Sequence, residues 1–277
     1  MHSWQSYLGL HHPRFGLFLL LIPVVFSPQP AFASTSDTTT IVVVGTVHNK
    51  TDNFTVQGLY DIIERVKPDL ILVELDSSFF TPLMSIKPES VRTSLENEAV
   101  AKHQEAHGTP IRPYDIEGRN KIYQTHNYFN LQGNLSKALD QAVQDSLLRG
   151  ESAMLLEAID RFDGIGRSSG TESPKLINSN PCDVAMESKQ YYAGDGMLKI
   201  VTSVPALRQF AEFAAFKRDF WIQRNDAMVA NILRWAGLLH SRTILVVCGF
   251  EHRYYLRNSL KAYRPAGPFI LREYWTY

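Results

Sequence analysis

Two cysteines in 277 residues, Cys182 and Cys248, are too few for a disulfide framework, so a hydrophobic core must hold the fold. Cys248 sits inside an apolar strand beside Gly249, where it reads as a small buried hydrophobe rather than half of a bridge. The chain has no run of basic residues and no net charge, with 28 Lys and Arg against 28 Asp and Glu. That balance argues against nucleic acid as a partner. After residue 33, no apolar stretch reaches the roughly 20 residues that a bilayer-crossing helix needs, so no membrane span is expected in the mature protein.

The N-terminus carries the one long apolar run. Arg14 is followed by the apolar residues 15–26 and then by Ala31-Phe32-Ala33 before Ser34. These are the charged region, short hydrophobic core and small-residue cleavage site of a secretory signal peptide. Residues 1–33 are therefore expected to be removed near Ala33, leaving a secreted or periplasmic product. Residues 34–277 suffice for a single α/β domain.

The domain is organised around residues 41–48, IVVVGTVH, a β-branched run ending in Gly-x-x-His. Residues 244–252, ILVVCGFEH, repeat the pattern near the other end. Runs of this kind suit buried parallel strands, and a terminal glycine lets the backbone turn sharply. Between them lie the strands LILVEL (70–75) and a short third at 111–114, and a last strand at 269–274 suits a sheet edge. A helix over 55–67, stopped by Pro68, makes the first two strands a βαβ unit and hence parallel. Helical patterns cover about 90–108, 131–162, 205–240 and 251–263. Residues 164–196, rich in Gly, Ser, Asn and Pro, read as a flexible insertion or a lid over the pocket. His103 and His107 stand i, i+4, a spacing that can grip a metal, but Lys102, Gln104 and Glu105 around them suggest solvent-facing histidines.

Chemistry-bearing residues collect at strand ends: His48, Glu74 with Asp76, Asp115, and Glu251 with His252. In a parallel sheet these ends share one side, where open α/β sheets place their sites. His48, Glu74 and His252 suffice to ligate a divalent metal (Mn, Co or Zn) with a position left for water. Without a metal, a histidine can act as general base with Glu74 orienting it. Either route leads to hydrolysis. Arg224 and Asn225, on a helix rich in aromatics, are suited to clamping a carboxylate or an oxyanion.

Gly45-Thr46-Val47-His48, Val73-Glu74-Leu75-Asp76, Arg224-Asn225 with Met228-Val229-Ala230, and Gly249-Phe250-Glu251-His252, in this order, resemble the motifs of the TraB/PrgY, GumN and TIKI family. That family belongs to a superfamily with the erythromycin esterases and the ChaN-like haem-binding lipoproteins (EreA/ChaN-like). The resemblance implies an α/β fold, mainly a parallel β-sheet flanked by helices, with two similar halves sharing one pocket. It implies catalytic roles for His48, Glu74, His252, Arg224 and Asn225, and metal-dependent cleavage of a peptide or ester bond by activated water. The ChaN-like alternative is a haem-binding, iron-uptake role without catalysis, with a histidine or a tyrosine such as Tyr254 or Tyr255 as axial ligand. Against it, no lipid-anchor cysteine stands near Ala33. The expected partners are thus a peptide, an ester or a haem-like small ligand.

Overall fold

The computed structural model describes residues 38–239, 242–263 and 269–277, with the side chains of 170–172 excepted. The expected signal peptide and its cleavage point lie outside the described residues. In chain order the elements are β1 (Thr39–Thr46), α1 (Val56–Val66), β2 (Leu70–Val73), α2 (Pro88–Val91), α3 (Leu95–His107), β3 (Ile111–Pro113), α4 (Arg119–Thr125), α5 (Tyr128–Gln144), α6 (Glu151–Glu172), α7 (Pro174–Ile177), α8 (Asn180–Tyr191), α9 (Met197–Ser203), α10 (Ala211–Leu238), β4 (Thr243–Gly249), α11 (Phe250–Tyr263) and β5 (Phe269–Arg272).

The five strands form one all-parallel sheet in the order β3-β2-β4-β1-β5. Side chains alternate across a strand, and the core divides accordingly. Val42, Val44, Ile71, Val73, Leu245 and Val247 pack against α1 and α3. Ile41, Val43, Leu70, Leu72, Ile244, Val246 and Cys248 pack against α10 and α11. This gives helix, sheet and helix layers, the arrangement expected when strands are apolar on both faces. A separate helical cluster, built on Leu135, Ile200, Val201, Leu207 and Phe213, gathers α5, α9 and the start of α10.

Local chemistry explains the boundaries. The Thr55 side chain accepts a hydrogen bond from the Gly58 N–H at the start of α1, and Lys67 ends that helix in the left-handed region at φ 50°, a common helix terminus. The pattern over 131–162 belongs to two helices, α5 and α6, parted by a turn with Gly150 at φ 56°. β2 stops at Val73, so Glu74 and Asp76 do not share a strand face. Asp76 instead caps the short 3-10 turn that follows, accepting from the Ser78 N–H.

The segment 164–196, expected as a flexible insertion or a lid, is not an irregular loop. It is helical through most of its length, as the end of α6, then α7, α8 and a π-helical turn over Tyr192–Gly196. Its loop-like composition is the composition of helix starts. Ser173 and Ser179 are side-chain caps, each followed by a proline in the first turn, where the missing N–H costs nothing. Two of its glycines serve close packing: a Cβ at Gly166 would lie 2.9 Å from the Met186 side chain, and one at Gly194 would lie 3.1 Å from Arg218. The segment also completes the sheet. Asn178 accepts from the Gly45 N–H (2.7 Å) and donates to the Gly45 carbonyl (2.9 Å), satisfying β1 beyond the point where β5 ends. Arg253, wholly buried, ties α11 to α8 through Asp183 (2.5 Å) and to Glu273 (2.8 Å).

β1 and β4 lie side by side, yet the chain leaves them in opposite directions. From β1 it runs towards β2, and from β4 it runs past β1 towards β5. The carboxyl ends of these two strands are therefore a topological switch point, where open α/β sheets form their crevice.

Candidate functional site

Both Gly-x-x-His turns open at that crevice, and each glycine makes room for the other motif. Thr46 pairs with Gly249 across the two strands. A Cβ on Gly249 would lie 2.8 Å from His48 Nε2 and 3.6 Å from Glu74 Oε2. A Cβ on Gly45 would lie 2.9 Å from Phe250 Cα and 3.2 Å from Arg253 Cδ. Gly45 thus admits the α11 backbone, and Gly249 admits the His48 ring. The resulting cleft, of about 480 Å³, is lined by His48, Glu74, Glu96, Arg119, Arg224 and His252 among others.

Arg224 is its hub. Nε and Nη2 donate to the two oxygens of Asp115, both at 2.9 Å, and Nη2 also donates to Glu74 Oε1 at 2.5 Å. Nη1 lies 3.2 Å from His252 Nε2. A guanidinium only donates, so Nε2 must carry the lone pair and the proton must sit on Nδ1, which faces Asn225 Oδ1 at 2.8 Å. His252 is thus a neutral, oriented imidazole, stacked on Trp221 with centroids 4.3 Å apart. Burial drives its pKa down to about 3, against the pull of Glu74 and with the push of Arg224. Burial would raise Glu74, but the positive groups around it and the Gly249 N–H at 2.6 Å hold its carboxyl well below the usual range. Burial likewise opposes the charge on Arg224, and Glu74 and Asp115 more than restore it.

His48 is the accessible member, its side chain 61% exposed. Its Nδ1 lies 2.9 Å from Glu96 Oε1, so the Nδ1–H donates to the carboxylate and Nε2 is turned to the space above Gly249. The hydrogen bond to Glu96 raises the His48 pKa to about 9, burial opposing and the Glu96 and Glu74 charges adding to it. Burial would raise Glu96 in turn, and the His48 hydrogen bond overturns this and lowers it. Glu96 also contacts the Thr46 hydroxyl, which lies 3.0 Å from the Cys248 carbonyl.

The donor set does not form the expected three-ligand metal centre. His48, Glu74 and His252 face one cleft, yet they are not among the sets of three whose donor atoms lie within 4.8 Å of one another. Glu74 Oε1 and His252 Nε2 lie 3.5 Å apart, and the Arg224 guanidinium contacts both. Neither of the two candidate tyrosines is a ready axial ligand for haem. Tyr255 donates its hydroxyl to Asp226 at 2.7 Å, and burial pushes Tyr254 up to about 12 and Tyr255 higher still. Both phenols are therefore held in the protonated form, whereas a tyrosine axial ligand binds as phenolate. Both tyrosines do line a second cleft of about 410 Å³, with Tyr128, Phe220 and Trp221, which shares Tyr123 and Arg224 with the first.

The structure thus brings His48, Glu74, Arg224, Asn225, His252 and Asp115 together. Glu251 turns away to Lys189 (2.5 Å) and Gln190 (2.9 Å) on α8. The two cysteines are buried and free. Glu96 carried no usable signal in the sequence, and Arg119 carried only its place four residues after Asp115. Glu96 looks like an ordinary acid in the first turn of a helix, and it reaches His48 only because the Leu95 N–H bonds the His48 carbonyl at 2.9 Å. Arg119, one helical turn after Asp115, bonds that carboxylate at 2.7 Å and presents a buried Nε with no partner. No family model matches the chain, and neither a curated protein nor a solved structure does.

Proposed function

We propose that this chain is an exported hydrolase of the TraB/TIKI type that cleaves an ester or peptide bond with water activated by His48. The observation that carries this reading is the His48 environment at the switch point. Glu96 holds Nδ1–H, and Nε2 is solvent-accessible in a cleft that Glu74, Arg119 and Arg224 also line. A histidine so oriented by a carboxylate is the general-base arrangement of acyl-transfer sites.

In the reaction, at alkaline pH where the His48 ring has lost its Nε2 proton, Nε2 takes a proton from water as the water oxygen attacks the carbonyl carbon. Arg119 Nε, a donor left without a partner, stabilises the oxyanion. Collapse of the tetrahedral intermediate breaks the bond to the leaving group, which receives the proton from Nε2. Arg224, with four of its five N–H groups engaged by Asp115, Glu74 and His252, fixes the field of the cleft. His252 and Asn225 position that guanidinium and are not themselves the base.

The test is a panel of nitrophenyl esters and fluorogenic peptides offered to the wild-type chain and to His48→Ala. Turnover that falls by at least about 100-fold in the variant, the usual worth of a general base, is expected. Equal turnover by the two proteins, or none by the wild type on either class, overturns the reading.

A further inference from the structure

We infer that Glu64, His103 and His107 form a divalent transition-metal site of the zinc class, on the outer face of α1 and α3 and apart from the cleft. Among the described residues these three have donor atoms lying within 4.8 Å of one another. Two imidazoles converge on a single carboxylate oxygen: His103 Nδ1 lies 2.9 Å and His107 Nε2 2.6 Å from Glu64 Oε1. The expectation that both histidines face solvent fails for His103, which is 4% exposed, while the His107 side chain stays 44% exposed.

The site has the parts that a metal requires. One turn of α3 sets the two rings on one face, their centroids 4.6 Å apart, and α1 supplies the third ligand. Two imidazole nitrogens and a carboxylate oxygen are a zinc ligand set that leaves a fourth position for water. The half-exposed rim at Glu64 and His107 gives an ion its entry. Tetrahedral ligands at zinc distances stand about 3.4 Å apart, so the present spacings need to open by less than about 1 Å. A support for the buried ring is also in place. His103 Nε2 lies 3.1 Å from Thr109 Oγ1, a hydroxyl that can either donate or accept. Without metal, Nδ1–H donates to Glu64 and Thr109 donates to Nε2. With metal, the imidazole proton moves to Nε2, Thr109 accepts it, and the Nδ1 lone pair faces the ion. This is the outer-shell hydrogen bond that metal-bound histidines use to fix their tautomer. Tyr60, whose hydroxyl lies 3.3 Å from His107 Nε2, borders the same opening.

The ion would staple α1 to α3, and α3 carries Glu96 in its first turn. Metal found in this protein would then belong here rather than to His48, Glu74 and His252, so the inference stands whether or not the hydrolase reading does. The experiment is zinc titration of the mature, metal-stripped protein by calorimetry, with metal content measured after dialysis. Variants His48→Ala, Glu64→Ala, His107→Ala and His103→Gln are compared. One zinc per chain is expected in wild type and in His48→Ala, with affinity lower by at least about tenfold in Glu64→Ala and His107→Ala. Those two alter partly exposed side chains, so they remain informative if the buried His103→Gln fails to fold. Absence of stoichiometric zinc in wild type overturns the inference. So does binding unchanged in Glu64→Ala and His107→Ala, or binding lost only in His48→Ala.

Discussion

Exchanging Glu96 for Gln tests the centre of the proposed mechanism directly, because it removes a charge while keeping the shape. In the native chain Glu96 Oε1 accepts from His48 Nδ1 at 2.9 Å, and this hydrogen bond is the main reason that His48 titrates near 9 rather than 6.5. With a neutral amide in its place, Glu74 is left as the group raising the imidazole, against burial and Arg224. The His48 pKa should fall towards the ordinary 6.5. At pH 7.5 that takes the ring from almost fully charged to roughly one-tenth charged. Because the side chain is 61% exposed, water screens part of the effect, and a fall of at least about one pH unit is the working expectation. The Gln amide takes the place of Glu96 Oε2, a buried oxygen without a partner, so the cost in stability stays within about 1–3 kcal/mol. The assay is an NMR titration of histidine ring resonances from pH 5 to 10, with the His48 signal assigned by its loss in His48→Asn. The His48-dependent limb of any hydrolytic pH–rate profile should move acidward with it. A wild-type His48 titrating near 6.5, or one that Glu96→Gln leaves in place, would refute the reasoning.

Arg224→Ala strands the buried carboxylates of Asp115 and Glu74, and should cost about 3–5 kcal/mol, seen as a fall in Tm on the order of 10 °C; a loss under 1 kcal/mol in urea unfolding would contradict the buried network. Gly249→Ala and Gly45→Ala should behave differently. The first meets only the movable His48 ring, so hydrolysis should drop by about 100-fold with little change in Tm. The second meets the Phe250 backbone and should cost about 1–3 kcal/mol; equal effects of the two on Tm would overturn that distinction. Stability should also peak near pH 6.5. Below it, the unfolded chain protonates His252 at its ordinary 6.5 while the folded chain resists until about 3, so stability falls with falling pH, and the lowered Glu74 acts in the same sense. Above it, folded His48 keeps its proton until about 9 while the unfolded chain has lost it, so that contribution fades as pH rises from 6.5 to 9. Tm measured across pH 4–10 checks both limbs, and His252→Gln should flatten the acid one.

The α/β class, the parallel strands and the two histidine turns were legible because each rests on a short-range pattern. Buried strands announce themselves by β-branched runs, and α1 by its apolar stripe and the Pro68 that stops it. What was illegible depended on distance in the chain. Nothing in the sequence shows that β4 inserts between β1 and β2, which is what sets Gly249 beside His48. Glu96 and Asn178 act across 48 and 133 residues of chain respectively, and their local contexts, a helix start and a polar stretch, have sufficient explanations of their own. The segment 164–196 misled for a related reason. Serine, proline and asparagine mark turns and helix starts alike, and only packing against Phe250 and Met186 tells which. The metal expectation for His48, Glu74 and His252 counted ligand types without Arg224, whose contacts to Glu74 and His252 come from α10, some 150 residues beyond β2.

The reciprocal fit of the two glycine turns constrains how such a site can change. Because the space for His48 is provided by Gly249, and the space for the start of α11 by Gly45, neither turn is a self-contained module. Grafting one onto another scaffold would leave its histidine without a seat. Any lineage that alters one glycine must answer the change in the other turn, about two hundred residues away along the chain but adjacent across the strand pair. The two motifs are one hinge-and-socket joint written in two places.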